Sequence, residues 1–136
     1  MATDPSYLRQ AAAIPVRDDK VSLITSSNGK RWVIPKGLIE PGQTAGQTAL
    51  NEAWEEAGLV GVLSREPIGS YIYSKLGRIY HVIVFVMRVT EAADEWPEKG
   101  LRQRTWVAAE RALDHIEDPG LRALIAAATS TVAAAV

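Results

Sequence analysis

The chain has 136 residues, 47% hydrophobic and 23% charged, enough for one globular domain with a packed core and too few for a second. A formal charge of −1 and a pI near 6.1 give no support for a nucleic-acid-binding or membrane-binding surface. The absence of cysteine excludes disulfides, thiolate catalysis and sulfur-ligated zinc, and suits a reducing, cytoplasmic setting.

In chain order, the first residues, MATDPSYLRQ, carry acid and proline where a secretory signal has a basic start and an apolar run, so no export is expected. Residues 10–17 and 20–26 are apolar-rich and β-compatible around Asp18-Asp19, which predicts a hairpin. Asn28-Gly29 predicts a further turn, and residues 31–34 a short strand that Pro35 ends. A glycine-rich loop leads to a helix over residues 44–57, with Thr44 and Gln47 spaced for a capping box and Gly58 as its left-handed terminator.

Beyond the helix, strands are predicted over residues 59–63 and 68–74, then a turn at Lys75-Leu76-Gly77. Residues 78–89 form the most apolar run and should be a central strand covered on both faces. A short strand over 102–107 and helical spacing over 108–116 and from Pro119 to about 128 complete the order. The uncharged stretch 123–136 is mostly alanine and falls short of the roughly 20 residues that span a bilayer, so 120–136 reads as a helix with a frayed tail. Strands on either side of a helix, with helices at the end, predict an α/β (α+β) fold, a mixed sheet flanked by helices, in a single domain over 1–136.

The helix over 44–57 carries the chemistry. Wound at 3.6 residues per turn, it gathers Leu50, Ala53, Trp54 and Ala57 on one side and Glu52, Glu55 and Glu56 on another. Neighbouring like charges cost a few tenths of a kcal/mol per pair, roughly, and the dipole disfavours acids in the last turn by about 0.3–1 kcal/mol each. A divalent cation held by the carboxylates would reverse these signs, and oxygen-only ligands suit Mg²⁺ or Mn²⁺. A solvated surface with two glutamates at the helix end is the plainer reading of the helix alone. The Pro-Lys-Gly corner at residues 35–37 sets a lysine and backbone groups beside it, as a phosphate-plus-metal seat requires.

The segment from Gly37 to Leu59 resembles the signature of the Nudix hydrolases, G-x5-E-x7-R-E-U-x-E-E-x-G-U with U a bulky apolar residue. Gly37, Glu52, Glu55, Glu56, Gly58 and Leu59 match it; Gln43 replaces the first glutamate, Asn51 the arginine, and Ala53 is smaller than the usual apolar residue. The two polar replacements remove one anion and one cation together, which we read as a coupled neutral substitution of a supporting pair. Residues 95–113 are also loosely similar to the subgroup that cleaves diphosphoinositol and diadenosine polyphosphates.

The resemblance implies an α/β/α sandwich and a Mg²⁺- or Mn²⁺-dependent pyrophosphohydrolase, with a dinucleoside polyphosphate or a related polyphosphorylated metabolite as substrate. It implies Glu52, Glu55 and Glu56 as catalytic acids and metal ligands, with the Gly37 carbonyl as a further ligand. Lys36, Arg31 and Arg78 are the expected substrate-binding residues, Arg102 and Arg104 further phosphate candidates, and Gln43 and Asn51 supporting residues. Trp32, Tyr73 and Tyr80 could stack a base, although strand aromatics are more often core. The expected partner is a small phosphorylated molecule, with no nucleic-acid polymer and no membrane, and a homodimer is compatible with this reading. The alternative expectation is a Nudix-fold nucleotide- or phosphate-binding module with weak or no hydrolysis, motivated by Gln43 and Asn51.

Overall fold

The computed structural model describes the backbone of residues 7–135 and the side chains through residue 130. Eight strands, β1 (Tyr7–Arg17), β2 (Lys20–Thr25), β3 (Trp32–Val33), β4 (Lys36–Leu38), β5 (Leu59–Leu63), β6 (Gly69–Lys75), β7 (Arg78–Ala92) and β8 (Arg104–Ala108), join in one mixed sheet. Its path runs β3-β2-β1-β7-β5, with β4 on β1, β6 on β7 and β8 on β2. Only β1 and β7 run parallel among these pairs, in register from Tyr7 opposite Ile79 to Val16 opposite Arg88. This is the mixed sheet flanked by helices that the sequence predicts.

The central run is buried on alternate sides. Val82 and Val84 of β7 join Ala12, Ile14 and Val16 of β1 in one core, under the 3-10 segment Ala109–His115 and helix α2 (Pro119–Ala135). Phe85, Met87 and Val89 join Ala11 and Ala13 in the other, under helix α1 (Ala45–Ala57). A strand apolar on both faces suits this sandwiched position. Residues 109–115 wind as 3-10 rather than α-helix, and Pro119 opens a separate helix that runs through residue 135.

Helix α1 has the expected ends. Thr44 Oγ1 accepts from the Gln47 N–H while Gln47 Oε1 accepts from the Thr44 N–H, and Gly58 closes the helix at φ 66°. The packed face differs from the predicted one: Ala49, Ala53 and Ala57 are fully buried, with Glu56 beside them, whereas Leu50 and Trp54 are 38% and 39% exposed. The sheet meets α1 with Ala11 and Ala13, so alanines on both sides let the backbones approach closely. Enlarging Ala53 to leucine there would overpack the layer at about 1–3 kcal/mol.

The strand at residues 36–38 was not predicted, because Pro35 reads as a terminator. Pro35 instead marks a change of partner: β3 pairs with β2, the Pro35 carbonyl accepts from the Ala13 N–H, and β4 then pairs antiparallel with β1, Lys36 opposite Ala12 and Gly37 opposite Ala11. Its missing N–H is harmless at a point where the chain leaves one ladder for another.

Candidate active site

Strand β4 brings the loop onto the acidic turn of α1. The Lys36 N–H donates to Glu56 Oε1 at 3.0 Å. At Gly37 the backbone lies so close to Glu52 that a Cβ would stand 2.4 Å from the Glu52 carboxyl carbon. Glycine leaves the Glu52 carboxylate where it is, since any larger residue must displace it.

The three acids grade from solvent inward: Glu55 is exposed, Glu52 half-buried and Glu56 buried. Burial, followed by the charges of Glu56, Glu55 and Glu98, pushes Glu52 up to about 7. Burial also raises Glu56 above the ordinary carboxylate range, against the opposing pull of Arg102 and of the Lys36 N–H. Arg102 Nη2 meets Glu56 Oε2 at 3.0 Å, with both side chains nearly enclosed.

Segment 93–103, between β7 and β8, and Arg104 at the start of β8 strap this turn in place. The Glu98 N–H donates to the Glu55 carbonyl at 3.0 Å, Trp96 Nε1 to the Glu56 carbonyl at 3.0 Å and Arg104 Nη1 to the Ala57 carbonyl at 2.8 Å. Consecutive carbonyls left without helical partners at the end of α1 are thus satisfied from outside the helix. Gly58 serves twice, since its left-handed backbone closes the helix and any Cβ would fall 2.7 Å from the Trp96 ring.

Lys36 has a second neighbourhood. Its side chain lines a cavity of about 280 Å³ with Arg31, Lys75, Trp32, Tyr71 and Tyr73, while Glu117 and Asp118 lie on its wall. Burial lowers the Lys36 ammonium from its ordinary value; Glu56 opposes this, and Lys75, Arg102 and Arg31 add to it. Its Nζ sits 5.3 Å from the centre of the Tyr73 ring, which also stacks on Tyr80 at 4.8 Å and 8°. The Tyr73 hydroxyl donates to Gln10 Oε1 at 2.7 Å.

The other expected site residues divide. Arg31 and Lys36 share the cavity, whereas Arg78 opens β7 opposite Lys75, exposed and outside the cavity lining. Arg102 and Arg104 are committed to α1 and its strap. Gln43 Oε1 accepts from Thr48 Oγ1 at 2.9 Å, Asn51 is exposed, and no hydrogen bond joins Gln43 to Asn51 among the described residues. Sequence reasoning passed over Trp96, Glu98 and the role of Arg102, because nothing local relates the segment 93–103 to a helix 40 residues earlier in the case of Trp96 and Glu56.

A cation site is not preassembled. Among the described residues, no three acidic or histidine side chains are gathered as ligands around one point. In kind, however, the donors fit a hard divalent cation: carboxylates crowd together at Glu52, and their mutual repulsion is what such an ion relieves.

The NUDIX domain family model matches residues 7–128. Nudix hydrolase 18, mitochondrial, of Arabidopsis thaliana is 35% identical over 101 residues, 73% of this chain, which spans 57% of that protein's length. Diphosphoinositol polyphosphate phosphohydrolase 3-beta of Homo sapiens is 33% identical over 117 residues, covering 81% of this chain and 70% of that one. In fold, the chain is similar to a crystal structure of a C. elegans Ap4A hydrolase binary complex, with a TM-score of 0.76 at 18% identity over 93% of this chain and 98% of that one. The match along the whole sheet, α1 and the first part of α2, joined to the identity with the human and plant proteins, places this chain in the Nudix hydrolase family.

Proposed function

We propose that the chain is a Mg²⁺- or Mn²⁺-dependent pyrophosphohydrolase that cleaves a diphosphate linkage in a small, densely phosphorylated metabolite, with a dinucleoside polyphosphate as the first candidate. The observation that carries this reading is the placement of Lys36, whose backbone binds Glu56 and whose side chain enters the cavity. A phosphate chain lying in that cavity with its anhydride at β4 would reach the acids of α1. Glu52, Glu55, Glu56 and the Gly37 carbonyl would hold the cation. When bound, the ion would neutralise diphosphate charge and lower the pKa of a coordinated water.

The protein's own groups supply binding and orientation. Lys36, Arg31 and Lys75 form a cationic wall suited to several phosphates. Tyr73 is covered by Tyr80 and Lys36, which argues for recognition of phosphate over base stacking on that ring. The human relative's name specifies a diphosphoinositol polyphosphate, a substrate of the same charge class. The cytoplasmic setting proposed for the reaction rests on the cysteine-free composition; among the described residues no helix is long and apolar enough to cross a membrane.

One observation favours a second reading, a phosphate-binding module with slow hydrolysis: both oxygens of Glu56 are already engaged, by Lys36 and Arg102. The deciding experiment incubates purified chain and Mg²⁺ or Mn²⁺ with dinucleoside polyphosphates, diphosphoinositol polyphosphates, nucleotide sugars and nucleoside triphosphates, and reads product masses. Turnover of a diphosphate compound, abolished by EDTA, is the expected result. Saturable binding without products would replace the enzyme by the binding module.

A further inference from the structure

We infer that Arg102 is a positioning residue, bridging the carboxylates of Glu56 and Glu98 so that the strap and the acidic turn of α1 keep the geometry turnover requires. The inference rests on the hydrolase reading and deepens it, because the residue it adds lies outside the helix that bears the acids.

Each edge of the Arg102 fork has a partner. Nη2 donates to Glu56 Oε2 at 3.0 Å, Nε to Glu98 Oε1 at 2.7 Å and Nη1 to the Thr25 carbonyl at 2.9 Å. Thr25 ends β2, so the guanidinium is anchored to the sheet as well as to both acids. A rigid planar fork bound in three directions cannot swing, whereas an ammonium in its place would keep the charge and lose the geometry.

Both oxygens of Glu56 are therefore fixed, Oε1 by the Lys36 N–H and Oε2 by Arg102, and the side chains of Arg102 and Glu56 are only 12% and 11% exposed. The last turn of α1 contains no basic residue that could do this from within the helix. Acids at a helix C-terminus face an unfavourable dipole, which makes an outside cation the natural counterweight. Arg102 does not line the cavity, and each of its three nitrogens is already engaged by α1, the strap or β2, which sets it apart from the cations that face substrate phosphate.

The test uses Arg102→Gln, Arg102→Lys and Glu98→Gln in the full chain, first by ¹H–¹⁵N spectra without metal. The Lys36 amide should shift in Arg102→Gln, as Glu56 turns, and shift less in the same direction in Glu98→Gln. In turnover, kcat should fall about 10- to 100-fold in Arg102→Gln, the scale of a misplaced catalytic group. KM should stay within about twofold, with Arg102→Lys between the two. Mn²⁺ alone, followed by the EPR signal of the free ion, should bind Arg102→Gln at least as tightly as the parent, since a cation has left the carboxylates. Loss of kcat with retained Mn²⁺ affinity is a pattern that general unfolding does not produce.

An unmoved Lys36 amide, an unchanged kcat, or a raised KM at constant kcat would overturn the proposal. Should Arg102→Gln fail to fold, Arg102→Lys and Glu98→Gln decide it by the same amide and kinetic criteria. A parent chain without turnover on any substrate would remove the hydrolase reading alone, and the amide shift would still judge Arg102.

Discussion

The indole Nε1 of Trp96 donates to the backbone carbonyl of Glu56 at 3.0 Å, across 40 residues of sequence. The residue whose carboxylate lies deepest in the acidic turn thus has its main chain tied to the strap as well. Trp96→Phe keeps the ring against Gly58 but leaves that carbonyl without its donor, at a cost of about 1–3 kcal/mol in unfolding free energy. Urea denaturation followed by far-UV circular dichroism measures it. An unchanged midpoint would mean that water replaces the indole and that the strap contributes little.

Gly37→Ala should separate the site from the fold. The new methyl would meet the Glu52 carboxyl group, the mobile end of a half-buried side chain, which can move aside. Thermal stability should therefore stay near that of the parent while turnover drops about 10²-fold, the scale expected for a misplaced catalytic group. A large fall in melting temperature with normal turnover per folded molecule would show that Gly37 is needed for packing alone.

The mixed sheet, the capped helix and the terminating glycine were legible because they rest on local signals: alternation, the Thr44 and Gln47 spacing, and Gly58 before a β run. The packed face of α1 was only half legible: Ala53 and Ala57 are buried as their side of the helix suggests, but hydrophobicity also favours Leu50 and Trp54, whereas the helix meets the sheet through Ala49, Ala53 and Ala57 and leaves those two partly exposed. Strand β4 was hidden by Pro35, whose effect depends on which ladder the chain is leaving. Within the site, the acids and Lys36 could be placed from the helix and loop alone. The partners of the acids could not, because Trp96, Glu98 and Arg102 reach them only once β7 and β8 are folded.

Lys36→Gln is expected to weaken substrate binding more than chemistry. The ammonium faces the cavity, and its loss removes a charge-assisted contact of about 1.5–3 kcal/mol, which corresponds to a KM rise of roughly 10- to 100-fold. The main-chain bond to Glu56 survives the substitution, so kcat should change far less. Arg31→Gln, in the same cavity lining, should act in the same direction. Steady-state kinetics on whichever diphosphate substrate is turned over provides the check, and a fall in kcat at constant KM for both variants would move the substrate elsewhere.

Glu52 gives the metal-free protein a pH dependence of definite sign. Its carboxyl is raised from 4.5 to about 7 in the folded chain, chiefly by burial and then by Glu56, Glu55 and Glu98. Between those values the native state binds more protons than the unfolded state, so the contribution of this group to stability is present at low pH and is lost as pH rises through about 7. In EDTA, the urea midpoint of Glu52→Gln should therefore gain on that of the parent between about pH 5 and pH 8, because the amide cannot ionise. Mg²⁺ or Mn²⁺ at the upper pH should restore the parent and leave Glu52→Gln nearly unchanged, since a ligand stabilises only the state that binds it. Parallel pH curves for the two proteins in EDTA would show that Glu52 ionises at its ordinary value, and equal stabilisation by metal would place the cation away from this carboxylate.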